Sequence, residues 1–199
     1  MDEFLRTTEI IDRAHPTIVA AAAEIAGEAR DDEEVAGRCF RWVRDFVRHS
    51  SDHPIPAVTC TASDVLRHRV GFCYAKSHLL VALLRARGVP AALCYQRLAY
   101  DPPAPGFFLH GLVAVHLKRH GWYRVDPRGG KPGAFSDFIP PVERLPYAPQ
   151  LPGERDVPGR FADAIGCVVT ALRRWPTAAE VRANLPDEPS LASCRRSEG

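Results

Sequence analysis

The chain has 199 residues, which is the length of one domain, and 46% of them are hydrophobic, which is enough for a core. Its net charge of +2 gives no reason to expect a nucleic-acid or membrane partner, and no apolar run approaches the roughly 18 residues that span a bilayer. The acidic N-terminus lacks the apolar stretch of a signal peptide, so we expect a cytoplasmic protein.

The first part of the chain, residues 1–57, is predicted to be mainly helical. A helix is expected over residues 12–29, with Pro16 in its first turn. The acidic run that begins at Asp31 supplies the cap of a second helix. Apolar residues at three- and four-residue spacing mark the buried stripe of this helix: Val35, Phe40, Val43, Phe46 and Val47. A proline-containing loop follows over residues 49–56.

Two further helices and a hairpin are predicted in the central part of the chain. Thr61 or Ser63 caps a short helix that Gly71 ends, and a longer helix follows over residues 73–87. The longer helix has a stripe of buried leucines: Leu79, Leu80, Leu83 and Leu84. His78 could reach the rim of a site at Cys73 from this helix, but it is expected to face solvent. Beyond this helix the hydrophobic period becomes two, which predicts strands over residues 91–99, 109–117 and 122–125, the last two joined by a tight turn at 118–120.

Residues 127–158 contain eight prolines, so long regular elements are not expected there. Three aromatic side chains are expected to anchor this segment to the domain: Phe135, Phe138 and Tyr147. A helix is predicted over residues 159–175, and a capping box at Thr177 and Glu180 predicts a last short helix. The Pro-rich segment and the C-terminal helices together span 127–185, and a frayed tail is expected over 186–199.

The six cysteines are scattered and contain no Cys-x-x-Cys pair: Cys39, Cys60, Cys73, Cys94, Cys167 and Cys194. In a reducing compartment most of them should be free thiols that behave as small hydrophobic residues. The histidine pairs His49/His53 and His116/His120 lack nearby thiols or carboxylates that would complete a zinc site. No metal site is therefore predicted.

Cys73 stands where a helix is predicted to begin, directly after a glycine turn. The unpaired N–H groups and positive dipole of a helix start favour the thiolate form of a cysteine and can stabilise an oxyanion. Gly71 lets the backbone turn tightly and leaves room beside the sulfur. Taken alone, a cysteine at a helix start is more often structural than catalytic, and Tyr74 is equally well explained as core or as acyl pocket.

The predicted hairpin allows His110 and Asp126 to be compared by strand geometry. With a three-residue loop at 118–120, Leu117 faces Gly121 and Leu112 faces Asp126. His110 then lies diagonally across from Asp126 on the same face, whereas a slip of one residue would separate the two side chains. A thiol, an imidazole and a carboxylate are the parts of a nucleophile–base–orienter triad. The loop at 101–106 either borders the cleft or simply connects two strands.

These motifs together resemble the transglutaminase-like superfamily, whose core is a papain-like cysteine-protease fold. The matching pieces are Gly71-Phe72-Cys73, the helix end Arg85-Ala86-Arg87-Gly88-Val89-Pro90-Ala91, His110 at a strand start, and Gly121-Trp122-Tyr123-Arg124-Val125-Asp126-Pro127. The resemblance implies one α+β domain over 1–199 with its catalytic core at about 60–130. In that fold the cysteine helix packs on an antiparallel sheet that carries His and Asp.

The resemblance also implies chemistry. Cys73 would be the nucleophile, His110 the base and acid, and Asp126 the orienter of an acyl transfer through a thioester. Amide hydrolysis, deamidation and transfer to an amine all occur in the family, and some bacterial relatives form amide bonds in natural-product pathways. The substrate would be a small molecule or peptide, with delivery by a carrier protein left open, and the triad chemistry needs no cofactor.

This chain departs from the family pattern at two points. Many members have an aromatic residue two positions after the histidine, where this chain has Leu112. Many also supply an oxyanion donor from a Gln or Trp upstream of the cysteine, whereas no Gln precedes Cys73 and Trp42 fits a helix core. The remaining donor or substrate-contact candidates, besides the backbone, are Thr59, Thr61, Ser63, Gly71, Tyr74 and Trp122. The alternative function is a non-catalytic binding module that retains the fold.

Overall fold

Helices precede the main sheet along the chain and follow it. A computed structural model describes residues 1–52, 57–129 and 135–188. After a 3₁₀ helix at Asp2–Leu5, the α-helices are α1 (Pro16–Ala26), α2 (Asp32–Phe46), α3 (Ala62–His68), α4 (Cys73–Ala86), α5 (Gly166–Arg174) and α6 (Ala178–Ala183). The strands are β1 (Arg48–His49), β2 (Val70–Gly71), β3 (Ala91–Ala99), β4 (Phe107–Leu117), β5 (Gly121–Val125), β6 (Asp137–Ile139), β7 (Val142–Arg144) and β8 (Arg155–Asp156).

Helix α4 runs through the centre of the molecule. It packs against α1, α2 and α3 and against β3 and β4, and every residue from Cys73 to Arg85 is buried. The predicted leucine stripe is part of this burial, but the helix is enclosed on all sides. The expectation that His78 faces solvent is therefore wrong, because its side chain is 0% exposed. The same enclosure buries two cations, Lys76 and Arg85.

The main sheet has the strand order β5-β4-β3-β8, and its neighbouring strands are antiparallel. Leu117 pairs with Gly121 and Val113 with Val125, which confirms the predicted hairpin register and continues to Leu112 opposite Asp126. One face of the sheet belongs to the main core around α4. The opposite face carries a smaller apolar cluster: Ala92, Cys94, Leu112 and Ala114. His110 and Asp126 share that opposite face at one end of the hairpin.

Several helix ends match the sequence and others differ. The Thr61 side chain caps α3, and Thr177 forms the predicted capping box with Glu180. Helix α1 is shorter than the predicted range 12–29, because it begins only at Pro16, which lies in its first turn as predicted, and ends at Ala26 before Gly27. The end of α3 differs, because Arg69 terminates it with a left-handed backbone (φ 54°), before Gly71 is reached.

Helix α5 begins at Gly166, well after the predicted residue 159. The cause is a reciprocal backbone pairing of Phe161 with Leu93, at 2.9 Å for each N···O contact, which keeps the preceding residues extended beside the sheet. A contact across the fold thus overrides the local apolar spacing.

Two predicted core aromatics are exposed. Phe46 is 65% exposed at the last position of α2, and Phe135 is 59% exposed, so neither is part of a buried stripe or anchor. Phe138 is buried as predicted and packs against Phe40 and Tyr123. Short strands β6 and β7 hold this part of the Pro-rich segment together.

The described end of the chain is held against the sheet instead of fraying from residue 186. The Pro186 carbonyl accepts a hydrogen bond from Leu109 N at 2.7 Å, and Asp187 pairs with Arg97 at 2.7 Å. The rest of the predicted tail, 189–199, lies outside the described residues. Within the described ranges, no helix has the length and apolar character to cross a membrane.

Candidate active site

Cys73 is the first residue of α4 and is 7% exposed. No side chain caps this helix start, so the N–H groups of its first turn are not used by a capping side chain. Gly71 lies so close to its neighbours that a Cβ there would be 2.9 Å from Ala75 Cβ and 3.1 Å from Thr59 Oγ1. The glycine therefore allows the tight entry that brings the sulfur to the helix start.

Gly111 brings strand β4 against the start of α4. A Cβ on Gly111 would be 2.9 Å from Tyr74 Cδ1 and 3.2 Å from Tyr74 Cα. Any side chain at this position would therefore force the strand or Tyr74 to move. At this close approach Gly111 N–H donates to Cys73 Sγ at 3.5 Å. The Tyr74 hydroxyl also links α4 to β4, because it donates a hydrogen bond to the Leu109 carbonyl oxygen. Burial raises the pKa of this hydroxyl. Tyr74 is thus a core residue and does not line the cleft.

His110 and Asp126 form a buried pair next to Cys73. His110 Nε2 is 2.6 Å from Asp126 Oδ2, and the two residues are 3% and 1% exposed. The second carboxylate oxygen, Oδ1, accepts a hydrogen bond from Arg128 N at 2.8 Å. Because Nε2 faces Asp126, Nδ1 is the ring nitrogen left for Cys73. The edge of Tyr147 packs on the imidazole, with 4.9 Å between ring centroids.

The charges around His110 favour its protonated form. Burial opposes the positive charge, but the negative charges of Asp126 and Cys73 and hydrogen bonds to both side chains outweigh burial and raise the His110 pKa to about 10. An imidazolium at neutral pH favours a thiolate on the neighbouring sulfur. The sequence-predicted thiol, imidazole and carboxylate therefore lie together, and the imidazole between the other two is held in its protonated form.

A cleft of about 620 Å³ opens onto Cys73 and His110. Most of its wall is apolar or aromatic: Phe72, Leu98, Ala99, Tyr100, Pro102, Phe108, Pro146, Tyr147, Ala148, Leu151 and Leu185. Asp101 and Pro102 belong to this wall, so the loop at 101–106 borders the cleft. The volume is within the range of small-molecule sites, about 300–1,000 Å³.

Comparison with known proteins identifies the family. The sequence model of the transglutaminase-like superfamily matches residues 19–127, more than half of the chain. The chain belongs to the transglutaminase-like superfamily. The predicted α+β fold with a papain-like core is confirmed. The fold is that of cysteine-based catalysts.

Solved structures give related but distant matches. A candidate cysteine protease from Cytophaga hutchinsonii has a TM-score of 0.51 at 21% identity, with 63% of this chain and 40% of that chain covered. The periplasmic domain of TgpA from Pseudomonas aeruginosa has a TM-score of 0.47 at 22% identity, with 62% and 45% covered. This chain thus spans less than half the length of either protein, and at such identity the first likeness shows a shared fold alone. No curated protein matches the chain.

The side chains considered as oxyanion donors in this transglutaminase-like domain are engaged elsewhere. Thr59 Oγ1 donates to the Val70 carbonyl at 2.8 Å, Thr61 Oγ1 caps α3, and Ser63 Oγ lies 3.3 Å from Thr61 Oγ1. None of these hydroxyls lines the described cleft. Backbone N–H groups at the start of α4 are the donors that remain from the sequence-based set.

Trp122 and Trp42 are also away from the cleft. Trp122 packs against Phe4 and His116 at the other end of the hairpin, because its strand position is four residues before Asp126. Trp42 lies beside Phe46 and under the Arg69 guanidinium. The candidacy of Trp122 as a substrate contact therefore finds no geometric support.

The other described cysteines are all buried: Cys39, Cys60, Cys94 and Cys167. Burial raises the pKa of Cys39 to about 12 and those of Cys60 and Cys94 to about 11. These three are neutral thiols at pH 7, and none of them lines the cleft. Among the described residues no group of three His, Cys, Asp or Glu is arranged to hold a metal ion, and Cys194 and His53 lie outside those residues.

Sequence reasoning assigned no role to two cations that lie close to Cys73, His110 and Asp126. Arg128, two residues after Asp126, is 5% exposed, lines the cleft and pairs with Asp52 at 3.0 Å. Lys76, three residues after Cys73, is 1% exposed. The sequence did contain a signal for Lys76, because it is the single lysine of a helix whose middle is mostly apolar. The carbonyl groups that it contacts are distant in sequence and could not be predicted.

Proposed function

We propose that the protein is a cysteine-nucleophile enzyme that transfers or hydrolyses acyl groups through a thioester. The observation that carries this proposal is the cluster of Cys73, His110 and Asp126 at the end of a cleft, with a 2.6 Å contact between imidazole and carboxylate. A binding module has no need of a buried carboxylate that holds a histidine beside a thiol.

The reaction follows from the positions of these groups. The Cys73 thiolate attacks the substrate carbonyl, a C–S bond forms, and the carbonyl electron pair moves to oxygen. N–H groups at the start of α4 stabilise this oxyanion. The bond to the leaving group then breaks as His110 Nδ1–H donates its proton to that group, which leaves a thioester on Cys73.

The thioester is released by a second attack. Water or an amine adds to the carbonyl, His110 accepts the proton of the attacking group, and the C–S bond breaks to restore the thiolate. Asp126 keeps Nε2 engaged in both steps, so the imidazole retains its orientation. Water gives hydrolysis and an amine gives a new amide.

An apolar acyl group suits the cleft best. Aromatic and aliphatic side chains form most of its wall, and Tyr100 and Phe108 pack together there with 4.9 Å between ring centroids. Of the four Asp, Glu and Arg side chains in the wall, Asp101 and Arg182 are at exposed positions, and the other two are already engaged. The Glu154 carboxylate accepts from the backbone N–H groups of Ala99, Gln150 and Leu151, and Arg128 pairs with Asp52. The substrate is an amide or activated acyl compound, free or carried by another protein.

Thiol labelling tests the proposal directly. With limiting iodoacetamide between pH 5 and 8, peptide mass spectrometry should find Cys73 labelled at least tenfold faster than any other cysteine, because a histidinium beside a cysteine increases the reactivity of the sulfur. His110→Ala should abolish this preference. His116→Ala is the matched control, since His116 is on the same strand beside Trp122 and outside the cleft.

A second measurement distinguishes an enzyme from a reactive thiol. p-Nitrophenyl octanoate should acylate Cys73, with a mass increase that hydroxylamine removes, and should do so faster than p-nitrophenyl succinate because of the apolar wall. Labelling of Cys73 no faster than that of the other thiols would contradict the proposed function. It would favour the binding-module alternative.

A further inference from the structure

Lys76 is enclosed one helical turn after the nucleophile. Its ammonium lies 3.1 Å from the Arg128 carbonyl oxygen and 3.4 Å from the Arg44 carbonyl oxygen, and it also donates to the Val47 carbonyl. A protonated lysine has three N–H donors, one for each of these carbonyls. A neutral amine has two donors and a lone pair, so it cannot satisfy the same set.

The three carbonyls come from different segments of the chain. Arg44 and Val47 are at the end of α2, whereas Arg128 is in the loop after β5. Gly129 completes this contact with a positive φ of 81°, and a Cβ on it would be 3.0 Å from Arg44 O and 3.8 Å from Lys76 Nζ. The lysine therefore ties the loop after β5 to the end of α2.

The same loop holds the carboxylate of the triad. Arg128 offers its carbonyl to Lys76 and its N–H to Asp126 Oδ1 at 2.8 Å, while Asp126 Oδ2 is 2.6 Å from His110 Nε2. Lys76, Arg128, Asp126 and His110 thus form a continuous chain of hydrogen bonds that ends at the imidazole beside Cys73.

We propose that Lys76 is a positioning residue whose protonated ammonium keeps Asp126 on His110, and that loss of its proton loosens this pair and lowers the reactivity of Cys73. The inference rests on the proposed function, because it concerns the same thiol. It adds a pH-dependent control that acts through the loop after β5 and not through contact with substrate.

The surrounding charges make Lys76 titratable near neutrality. Burial is the main effect and lowers its pKa to about 7, with Arg128 acting in the same direction. Asp126 in the loop after β5, Asp45 on α2 and Asp52 after β1 oppose this shift. The His110 pKa is near 10, so a change of Cys73 reactivity with a midpoint near pH 7 reports Lys76 and not the imidazole.

The experiment measures the iodoacetamide rate of Cys73 from pH 5.5 to 9 in the full chain and its variants. The wild type should lose about tenfold in rate with a midpoint near pH 7. Lys76→Met should already be at least tenfold slower at pH 6, without that midpoint. Lys76→Arg, which stays charged, should label within about threefold of wild type at pH 6 and lack the decline near pH 7. Lys118→Met is the control, because Lys118 is exposed.

A wild-type pH profile in Lys76→Met would overturn the proposal, since a purely structural lysine changes thermal stability without moving the profile of the thiol. If Lys76→Met does not fold, Lys76→Arg decides: a decline near pH 7 that persists in this variant overturns the proposal, and its absence supports it. Failure of the proposed function is separately visible, because it requires slow labelling of Cys73 in the wild type at every pH.

Discussion

The two ends of α4 each bury a cation among backbone carbonyls, but the two cations differ in chemistry. Near the C-terminal end, Arg85 donates to Ala91 O at 2.8 and 3.1 Å, to Arg6 O at 2.9 Å and to Ala162 O at 2.7 Å. Near the N-terminal end, Lys76 donates to the carbonyls of Arg44, Val47 and Arg128. Each cation ties together segments that are far apart in sequence.

The difference lies in when each charge is lost. Burial lowers the Arg85 pKa to about 10, so its guanidinium stays charged through the neutral range, whereas the Lys76 pKa falls to about 7. Arg85, at the end of the helix away from the cleft, thus keeps its charge and its hydrogen bonds at neutral pH. Lys76, near the thiol, can lose its proton in the same pH range. Substitutions at the two ends should therefore separate reactivity from stability.

The largest effect on reactivity is expected at the N-terminal end from Asp126→Asn. The carboxylate serves Arg128 N and His110 Nε2 with one oxygen each, and an asparagine has one carbonyl oxygen for these two donors. The rate of Cys73 acylation should fall by about 10²- to 10⁴-fold, as when the orienting acid of a triad is lost. Stopped-flow measurement of p-nitrophenolate release checks this.

Asp64→Asn is the matched control for that change, because Asp64 is an exposed carboxylate on α3. The control should acylate at the wild-type rate. A fall of less than about tenfold in Asp126→Asn, with the fold retained by circular dichroism, would remove Asp126 from the catalytic group and leave a Cys73–His110 dyad.

At the C-terminal end, Arg85→Met is expected to lower the stability of the protein and to leave the reactivity of Cys73 nearly unchanged. The change removes the donors to the buried Ala91 carbonyl and to the part-buried contacts at Arg6 and Ala162, and an unsatisfied buried group costs about 1–3 kcal/mol. We expect a loss of about 3–5 kcal/mol in the free energy of unfolding, measured by urea titration. The iodoacetamide rate of Cys73 in the folded variant should stay within about threefold of wild type.

Arg87→Met provides the comparison, since Arg87 is exposed two residues further along. Its unfolding free energy should change by no more than about 0.5 kcal/mol. Equal losses of unfolding free energy in Arg85→Met and Arg87→Met would mean that the carbonyl contacts of Arg85 do not stabilise this end of α4. Arg85 would then not be a structural counterpart of Lys76.

The local signals in the sequence are sufficient for much of the fold and for the clustering of Cys73, His110 and Asp126. Gly71, Cys73, the helix stop after Arg87 and the two-residue period of β3 to β5 are all determined within short windows. The hairpin register followed from one turn, because a three-residue loop leaves a single parity for His110 and Asp126. Side chains set by strand parity and helix caps could thus be assigned without tertiary contacts.

The remaining features depend on contacts between distant segments. Lys76 and Arg85 are typical surface residues by type, and only the packing of α1, α2, α3 and the sheet around α4 buries them. The start of α5 was misplaced for a similar reason, since the pairing of Phe161 with Leu93 spans the sheet. Thr59 was considered as an oxyanion donor because its hydroxyl's partner, the Val70 carbonyl, is not visible in a local window.

A third buried group, His78, lies on α4 between the two cations. It is expected to affect the pH dependence of stability and not the reactivity of Cys73. Its Nδ1 is 2.8 Å from the Cys60 carbonyl oxygen, and its Nε2 has no hydrogen-bond partner among the described residues. Burial lowers the His78 pKa to about 4, although the Cys60 carbonyl acts against this shift. The side chain is therefore neutral in the folded protein at pH values where an unfolded chain would protonate it.

The sign of the pH effect follows from that difference. As pH falls from 6.5 to about 4, the unfolded state binds a proton that folded His78 does not, so the free energy of unfolding should decrease by up to about 3 kcal/mol. In His78→Asn the amide N–H replaces the donor to Cys60 and cannot titrate, so this part of the acid destabilisation should disappear. His68→Asn, at an exposed position, should keep the wild-type slope. Urea titrations at half-unit pH steps measure these slopes, and equal slopes in wild type and His78→Asn would show that His78 is already accessible to protons in the folded state. The centre of α4 would then be open to protons although both of its ends are enclosed, and burial would not be the cause that separates the pKa values along this helix.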